Sequence, residues 1–541
     1  MKKPDISKMT LRQKVGQTGM PAPNVVGDGV KRCGGYAEYF KAFPFSGLYC
    51  HGNMQDANGN KLETPEALYN ELKKAHEEAD IPLLVSCDAE YGALALFDNL
   101  HRIPTMMSVG AADSKELAYQ RSNLWARELK SCGINWPFGP VGDLAGNFFS
   151  QGTIRCLSDD PDVVVKLYPD VIHGIQGAGL AATAKHFPSG GKDYRDAHFC
   201  SSKNYVSLEE WNKTSRKVWQ AAVDAGVDSF MVGHSAFLAV DPSYARGKVA
   251  RPASASKKVL DILRVEMNFD GVIVTDAVSM KGVAAAFEHE DVYIECFNAG
   301  NDIILFCHDD YIDVMEKAVL DGRVTMERLD ESVRRVLALK EKLGLFDKIE
   351  RGPDLSEEEN KIFDEVNYEI ACQALTLINN ENNMIPFDPA KVKSATIIAL
   401  APHAPFVDEL QSMVKVLENR GIKTNLINRL RSKEELKQIS ETNDIIIYAC
   451  YLAQSQPIGY SFYSKSEDLN TLFHGLSYGA SKSVVVSFGA PSIYYNYFEE
   501  ADAYINAYSG DAGTMKAFVD GILGDFEFTG KSPVKLRPEF K

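Results

Sequence analysis

The sequence predicts an α/β protein: a (β/α)8 TIM-type barrel followed by a smaller α/β sandwich domain. Three observations carry that expectation. Short, continuous apolar runs recur over the first 345 or so residues, separated by longer segments of helical periodicity. Nearly every run ends in a polar or charged residue. A second series of apolar runs then begins beyond a charged stretch at 347–361.

The first series runs FSGLYC (45–50), IPLLVSCDAE (81–90), GINWPFGPVGD (133–143), GLAATAKHF (179–187), VDSFMVGH (227–234), GVIVTDA (271–277) and NDIILFC (301–307). Continuous rather than alternating apolar runs fit parallel strands covered on both faces. Helical segments lie at 115–131, 254–267 and 325–344, the last with an apolar stripe at 329, 333, 336, 337, 339 and 343. Such β-then-α units build either a barrel or a doubly wound sheet. The polar run ends favour the barrel: Asp88, Asp143, Lys185–His186, His234 and Asp276 come from different strands. A barrel gathers all its carboxyl ends on one face, whereas a doubly wound sheet concentrates function at one switch point.

This places a catalytic barrel at 1–346, a linker at 347–370 and the α/β sandwich domain at 371–541. Runs at 394–400, 423–427, 444–450, 482–489 and 502–508 supply five strands for the latter.

Charge and composition exclude some functions. The net charge of −16 argues against a general nucleic-acid or anionic-membrane partner, since both require a basic face. No run of about eighteen apolar residues suggests a membrane span, and MKKPDISKMTLRQKVGQ lacks a signal-like apolar core. The ten cysteines are scattered, with no C-x-x-C, and read as buried thiols of a reducing compartment. A cytoplasmic protein is expected. Without H-x-H, H-E-x-x-H, G-x-G-x-x-G or a P-loop, neither a metal nor a nucleotide cofactor is expected.

Two constellations carry chemistry. Asp276 closes GVIVTD, where a barrel strand reaches the mouth, a rigid and partly desolvated position suited to a nucleophilic carboxylate. The alternative is an Asp that caps the next helix. The second constellation is KHFPSGGKDYRDAHF (185–199). Asp196 and His198 are two apart, so in an extended segment they point the same way and the carboxylate can orient the imidazole for proton transfer. The alternative is a surface loop with incidental charges.

Taken in order, these motifs resemble glycoside hydrolase family 3. MTLRQKVGQ, CDAEYG (87–92), GINWPFGPVGDL, TIRCLSDDPDVV (153–164), KHFP, MVGHSAF (231–237), RPASAS (251–256) and GVIVTDAVSM fall in the family's order. NAGNDIILF, ESVRRVLALKEKLGLF, ALTLINNENNMIPF, VVVSFGAPSIYYN and GKSPV continue it. The resemblance implies Asp276 as nucleophile, and Asp88, Arg155, Lys185 and His186 as ligands of sugar hydroxyls, with His234 at a neighbouring strand end expected to bind substrate as well. The spacing from KHFP to D-x-H is similar to the β-N-acetylglucosaminidase (β-N-acetylhexosaminidase) branch, which implies that an Asp196–His198 dyad replaces the usual carboxylic acid. KHFPSGG stands where that branch has KHFPGHG, and Tyr91 replaces a glycine. With Phe199 after the histidine, these departures imply a reshaped sugar subsite.

The implied function is a retaining exo-glycosidase acting on terminal β-linked N-acetylhexosamine in a small oligosaccharide or glycoside, without cofactor. The alternatives are a β-glucosidase with a second-domain Glu (467, 499 or 500) as acid, a phosphorylase, or a catalytically silent sugar-binding barrel. The sequence assigns no oligomeric state.

Overall fold

A computed structural model describes residues 2–146, 153–190, 193, 195–347, 351–400, 404–428, 430–451 and 474–537. The chain is α/β throughout and divides into two compact units. One comprises 1–101, 119–143 and 168–356; the other comprises 102–118, 144–167 and 357–541.

In the first unit the apolar runs form short parallel strands. Gly47–Cys50 pairs with Leu84–Cys87, and Thr183–Phe187, Ser229–Val232 and Val272–Thr275 form a three-stranded parallel sheet. Gly19–Pro21 pairs with Ile304–Cys307. That N-terminal strand, GMP, has no counterpart among the predicted runs, because three residues are too few to show an apolar pattern. Run 133–143 contributes only an isolated bridge, Val141 to Lys185. Pro137 and Pro140 interrupt it, and a proline has no N–H to donate to a ladder.

Backbone hydrogen bonds link these pieces in chain order. Ser46 N–H donates to Gly19 C=O at 3.0 Å, Trp136 N–H to Val85 C=O at 3.0 Å and Phe138 N–H to Cys87 C=O at 2.9 Å. Val274 bridges Ile303, and Ile304 N–H donates to Thr18 C=O at 2.9 Å. One buried cluster draws Met20, Leu84, Trp136, Met231, Val274 and Leu305 from these segments. The Met326–Lys342 helix, N-capped by Thr325, buries Leu329, Val333, Val336, Leu337 and Leu339, the stripe read from the sequence.

The strand that leads to Asp276 is fixed at its start by a buried carboxylate. Asp302 accepts from Ile273 N–H at 3.0 Å and from Ser332 Oγ at 2.7 Å, and it pairs with Arg264, Arg328 and Arg335. A buried carboxylate is tolerable only when surrounded in this way.

The second unit holds a six-stranded sheet. In spatial order its strands are Thr376–Asn380, Ala503–Asn506, Ser483–Ser487, Ile445–Cys450, Ser394–Leu400 and Lys423–Ile427. Only the first pairs antiparallel. Ile397, Ile447 and Val486 enter one apolar cluster, while Ile398, Ile446 and Val485 enter another. Both sheet faces are therefore covered, which is why these strands read as unbroken apolar runs. Five lie at the predicted runs; the sixth is the edge strand in ALTLINN. Among the described residues no helix is long and apolar enough to cross a membrane.

Candidate active site

Asp276 follows the fully buried strand Val272–Thr275. Its N–H donates to Val232 C=O at 2.9 Å, and its Oδ1 accepts from Ala277 N–H at 2.8 Å. The helix-cap alternative fails on geometry: the next helix, Lys281–Ala284, has Met280 at its N-cap and no side-chain cap. Burial would raise the Asp276 pKa, but the fields of His186 and His234, Ala277 N–H and Lys185 outweigh it and hold the carboxyl below its ordinary value. Asp276 is thus kept ionised, as a nucleophile requires.

Lys185 lies in the middle of Thr183–Phe187 with its side chain almost fully buried, its Nζ 2.5 Å from Asp88 Oδ1 and 2.7 Å from Glu90 Oε1. Tyr49 Oη donates to Asp88 Oδ2 at 3.0 Å. Burial, followed by the Asp88 charge, pushes the Tyr49 hydroxyl up, so it stays a donor. The Asp88 side chain is 46% exposed, and each carboxylate oxygen keeps lone pairs that can accept from hydroxyl groups.

Two histidine–carboxylate pairs stand in the same unit. His186 Nδ1 lies 2.7 Å from Asp143 Oδ2, which also accepts from His186 N–H at 3.2 Å. His198 Nδ1 lies 2.7 Å from Asp196 Oδ1, which accepts from His198 N–H at 2.9 Å. The His198 side chain is 38% exposed and that of Asp196 only 5%. The carboxylate sits on Nδ1, the contact that fixes an imidazole's tautomer and orientation. Asp193 steadies the loop further: its carboxylate accepts from Arg195 N–H at 3.0 Å, from the Arg195 guanidinium at 2.6 Å and from Lys203 N–H at 2.8 Å.

His234 is enclosed. Its Nδ1 lies 2.7 Å from Ser254 Oγ and its Nε2 3.0 Å from Ala277 C=O. The carbonyl can only accept, so Nε2 carries the proton and Nδ1 accepts from the serine. Burial lowers the His234 pKa despite the nearby Asp276 charge. Both its nitrogens serve protein partners, which suits it to holding the Ala277 main chain.

The structure brings Asp276, Lys185, His186, Asp88, Asp196, His198 and His234 into one unit. Arg155 closes the short Thr153–Arg155 turn and groups with the second unit. Phe199 is 55% exposed beside His198, with ring centroids 6.2 Å apart. Of the second-unit glutamates, Glu499 pairs with Arg537, and Glu467 lies outside the described residues. Sequence reasoning missed Glu90, Asp143 as partner of His186, Tyr49 and Ser254. The spacing rule that found Asp196–His198 applies equally to Asp88 and Glu90, two residues apart, and would have found that pair.

The family profile described as "Glycosyl hydrolase family 3 N terminal domain" matches residues 10–339. A β-N-acetylglucosaminidase/β-glucosidase of Cellulomonas fimi is 28% identical over 498 residues, covering 84% of each chain. A β-hexosaminidase of Tolumonas auensis is 32% identical over 256 residues, 46% of this chain and 73% of that one. Among solved structures, a β-glucoside phosphorylase bound to 2FGlc superposes with TM-score 0.84 at 23% identity, covering 98% of this chain and 95% of the other. A family 3 β-N-acetylglucosaminidase from Paenibacillus sp. superposes with TM-score 0.81 at 24% identity, covering 98% and 99%. At that identity the superpositions establish a shared fold.

Proposed function

The chain belongs to glycosyl hydrolase family 3, and on that premise we propose that it removes terminal β-linked N-acetylglucosamine with retention of configuration. The observation that carries this reading is the Asp196–His198 pair, an exposed imidazole backed by a buried carboxylate in the same unit as an ionised Asp276. Asp276 attacks the anomeric carbon while His198 Nε2 protonates the departing oxygen. The covalent glycosyl-enzyme is then opened by water that gives its proton to His198, and the two inversions leave net retention. Asp196 fixes the imidazole tautomer and stabilises the imidazolium. Asp88, Lys185 and His186 hold hydroxyls, and that binding serves to distort the ring. His234 acts by holding Ala277 rather than by touching sugar.

The fold reading that goes with this is a (β/α)8 barrel at 1–346, supported by the hydrogen bonds that run in chain order and return from Ile304 to Thr18. A smaller α/β domain at 371–541 follows it.

The test is a panel of aryl β-glycosides (N-acetylglucosaminide, glucoside, xyloside, galactoside), with a fluorinated glycosyl fluoride to trap the adduct. Preferred cleavage of the N-acetylglucosaminide and an adduct mapped to Asp276 support the reading; an adduct elsewhere overturns it. A second reading, phosphorolysis, is favoured by the acid/base being an imidazole, which repels phosphate less than a carboxylate does. Release of sugar 1-phosphate on adding phosphate would select it.

A further inference from the structure

The loop that carries His198 is tied by main-chain groups to the segment just beyond Asp276. Lys281 N–H donates to His198 C=O at 3.1 Å, and Gly282 N–H donates to Ala197 C=O at 2.8 Å. That segment is itself fixed to the strands. Asp276 N–H is held by Val232 C=O, Val278 N–H donates to Leu305 C=O at 3.0 Å, and Met280 N–H donates to Ala277 C=O at 3.0 Å.

The approach at Gly282 is too close for a side chain unless its neighbours give by a few tenths of an ångström. A β-carbon there would stand 3.0 Å from Ala197 O, 3.0 Å from His234 Cβ and 3.3 Å from Ala197 Cβ. His234 has nowhere to retreat, being 2% exposed with both ring nitrogens engaged by Ser254 and Ala277. Any side chain at 282 therefore displaces the 197–198 main chain. Such a displacement reaches the imidazole directly, because Asp196 Oδ1 grips both His198 N–H and Nδ1 and makes ring and backbone move as one body.

We propose that Gly282 is a positioning residue for proton transfer: its missing side chain lets the 196–198 loop dock on the Lys281 and Gly282 amides, which sets the imidazole relative to Asp276. The inference rests on the assignment of His198 as acid/base. Misplacement of a catalytic group by about 1 Å costs ~10²-fold, so a shift of a few tenths of an ångström is expected to cost about tenfold.

The test uses the full chain and two β-glycosides of its preferred sugar, one with a 2,4-dinitrophenyl and one with a methyl leaving group. Gly282→Ala is expected to lower kcat on the methyl glycoside about tenfold, with KM and dinitrophenyl turnover within about twofold of the parent. Lys281→Pro deletes the other donor at a first helical position, where proline is tolerated, after a residue with the extended ψ of 139° that proline requires. It should show the same split. Gly282→Ala combined with His198→Ala should be no slower than His198→Ala alone, because a residue acting through His198 has nothing left to act on. Equal losses on both substrates, additive losses in the double variant, or parental kcat on the methyl glycoside would overturn the proposal. Should His198→Ala itself show no dependence on the leaving group, the acid/base assignment fails and this inference with it. If His198→Ala behaves as expected and Gly282→Ala does not, only the role of Gly282 fails.

Discussion

His186–Asp143 and His198–Asp196 are the same pair chemically and differ in almost everything around them. Each has a carboxylate oxygen 2.7 Å from Nδ1 that also accepts the histidine's own N–H. The first joins a residue of the strand Thr183–Phe187 to the end of the 133–143 run, 43 residues away, and is about one-fifth exposed at both partners. The second is built within three residues of one loop, with the imidazole 38% exposed. His186 heads the charges that hold the Asp276 pKa down, whereas His198 is not among its main contributors. The same pair thus stands in two different surroundings. On the proposed reading, one imidazole tunes the nucleophile and binds substrate, and the other meets the leaving group.

The largest effect expected is from removing what both dyads serve. Asp276→Ala should reduce turnover to the detection limit on every glycoside, with no covalent adduct in the mass spectrum. Next comes Asp196→Asn, which deprives His198 of tautomer control and should cost ~10²-fold or more on alkyl glycosides. Asp143→Asn should instead raise KM more than it lowers kcat.

The pH profile separates the dyads in another way. His186→Gln removes a charge that opposes the effect of burial on Asp276, so its pKa rises and the acid limb of kcat/KM should move to higher pH. His198→Gln should leave that limb in place.

A third histidine sharpens the contrast. His76 is buried without a carboxylate; burial, then the Lys340 charge, lower its pKa to about 3. Unfolded, it would titrate near 6.5. The unfolded chain therefore takes up the proton first, and stability present above pH 6.5 declines as pH falls toward 3, by about 1.4 kcal/mol per unit. His76→Gln, whose amide can still accept from Leu83 N–H, should flatten denaturant stability between pH 7 and 5 by about that slope.

These histidines also explain what the sequence revealed. Asp196 and His198 lie two apart, so the spacing alone places them together, and the stripe at 329–339 was legible for the same local reason. The His186–Asp143 contact depends on two segments 43 residues apart meeting, and no local pattern encodes that. The N-terminal strand is three residues long, and the run at 133–143 is broken by Pro137 and Pro140, so apolar periodicity missed one and overstated the other. Gly282 was invisible, since its significance lies in a close approach of backbones rather than in a conformation only glycine adopts.

The central claim is that His198, and not His186, donates the proton to the leaving group. The most direct measurement compares His198→Ala and His186→Ala on methyl and 2,4-dinitrophenyl β-glycosides. His198→Ala is expected to lose ~10²–10⁴-fold on the methyl glycoside and far less on the dinitrophenyl one, while His186→Ala loses similar factors on both. A His198→Ala enzyme equally impaired on the two substrates, or a His186→Ala enzyme showing the split instead, would contradict it.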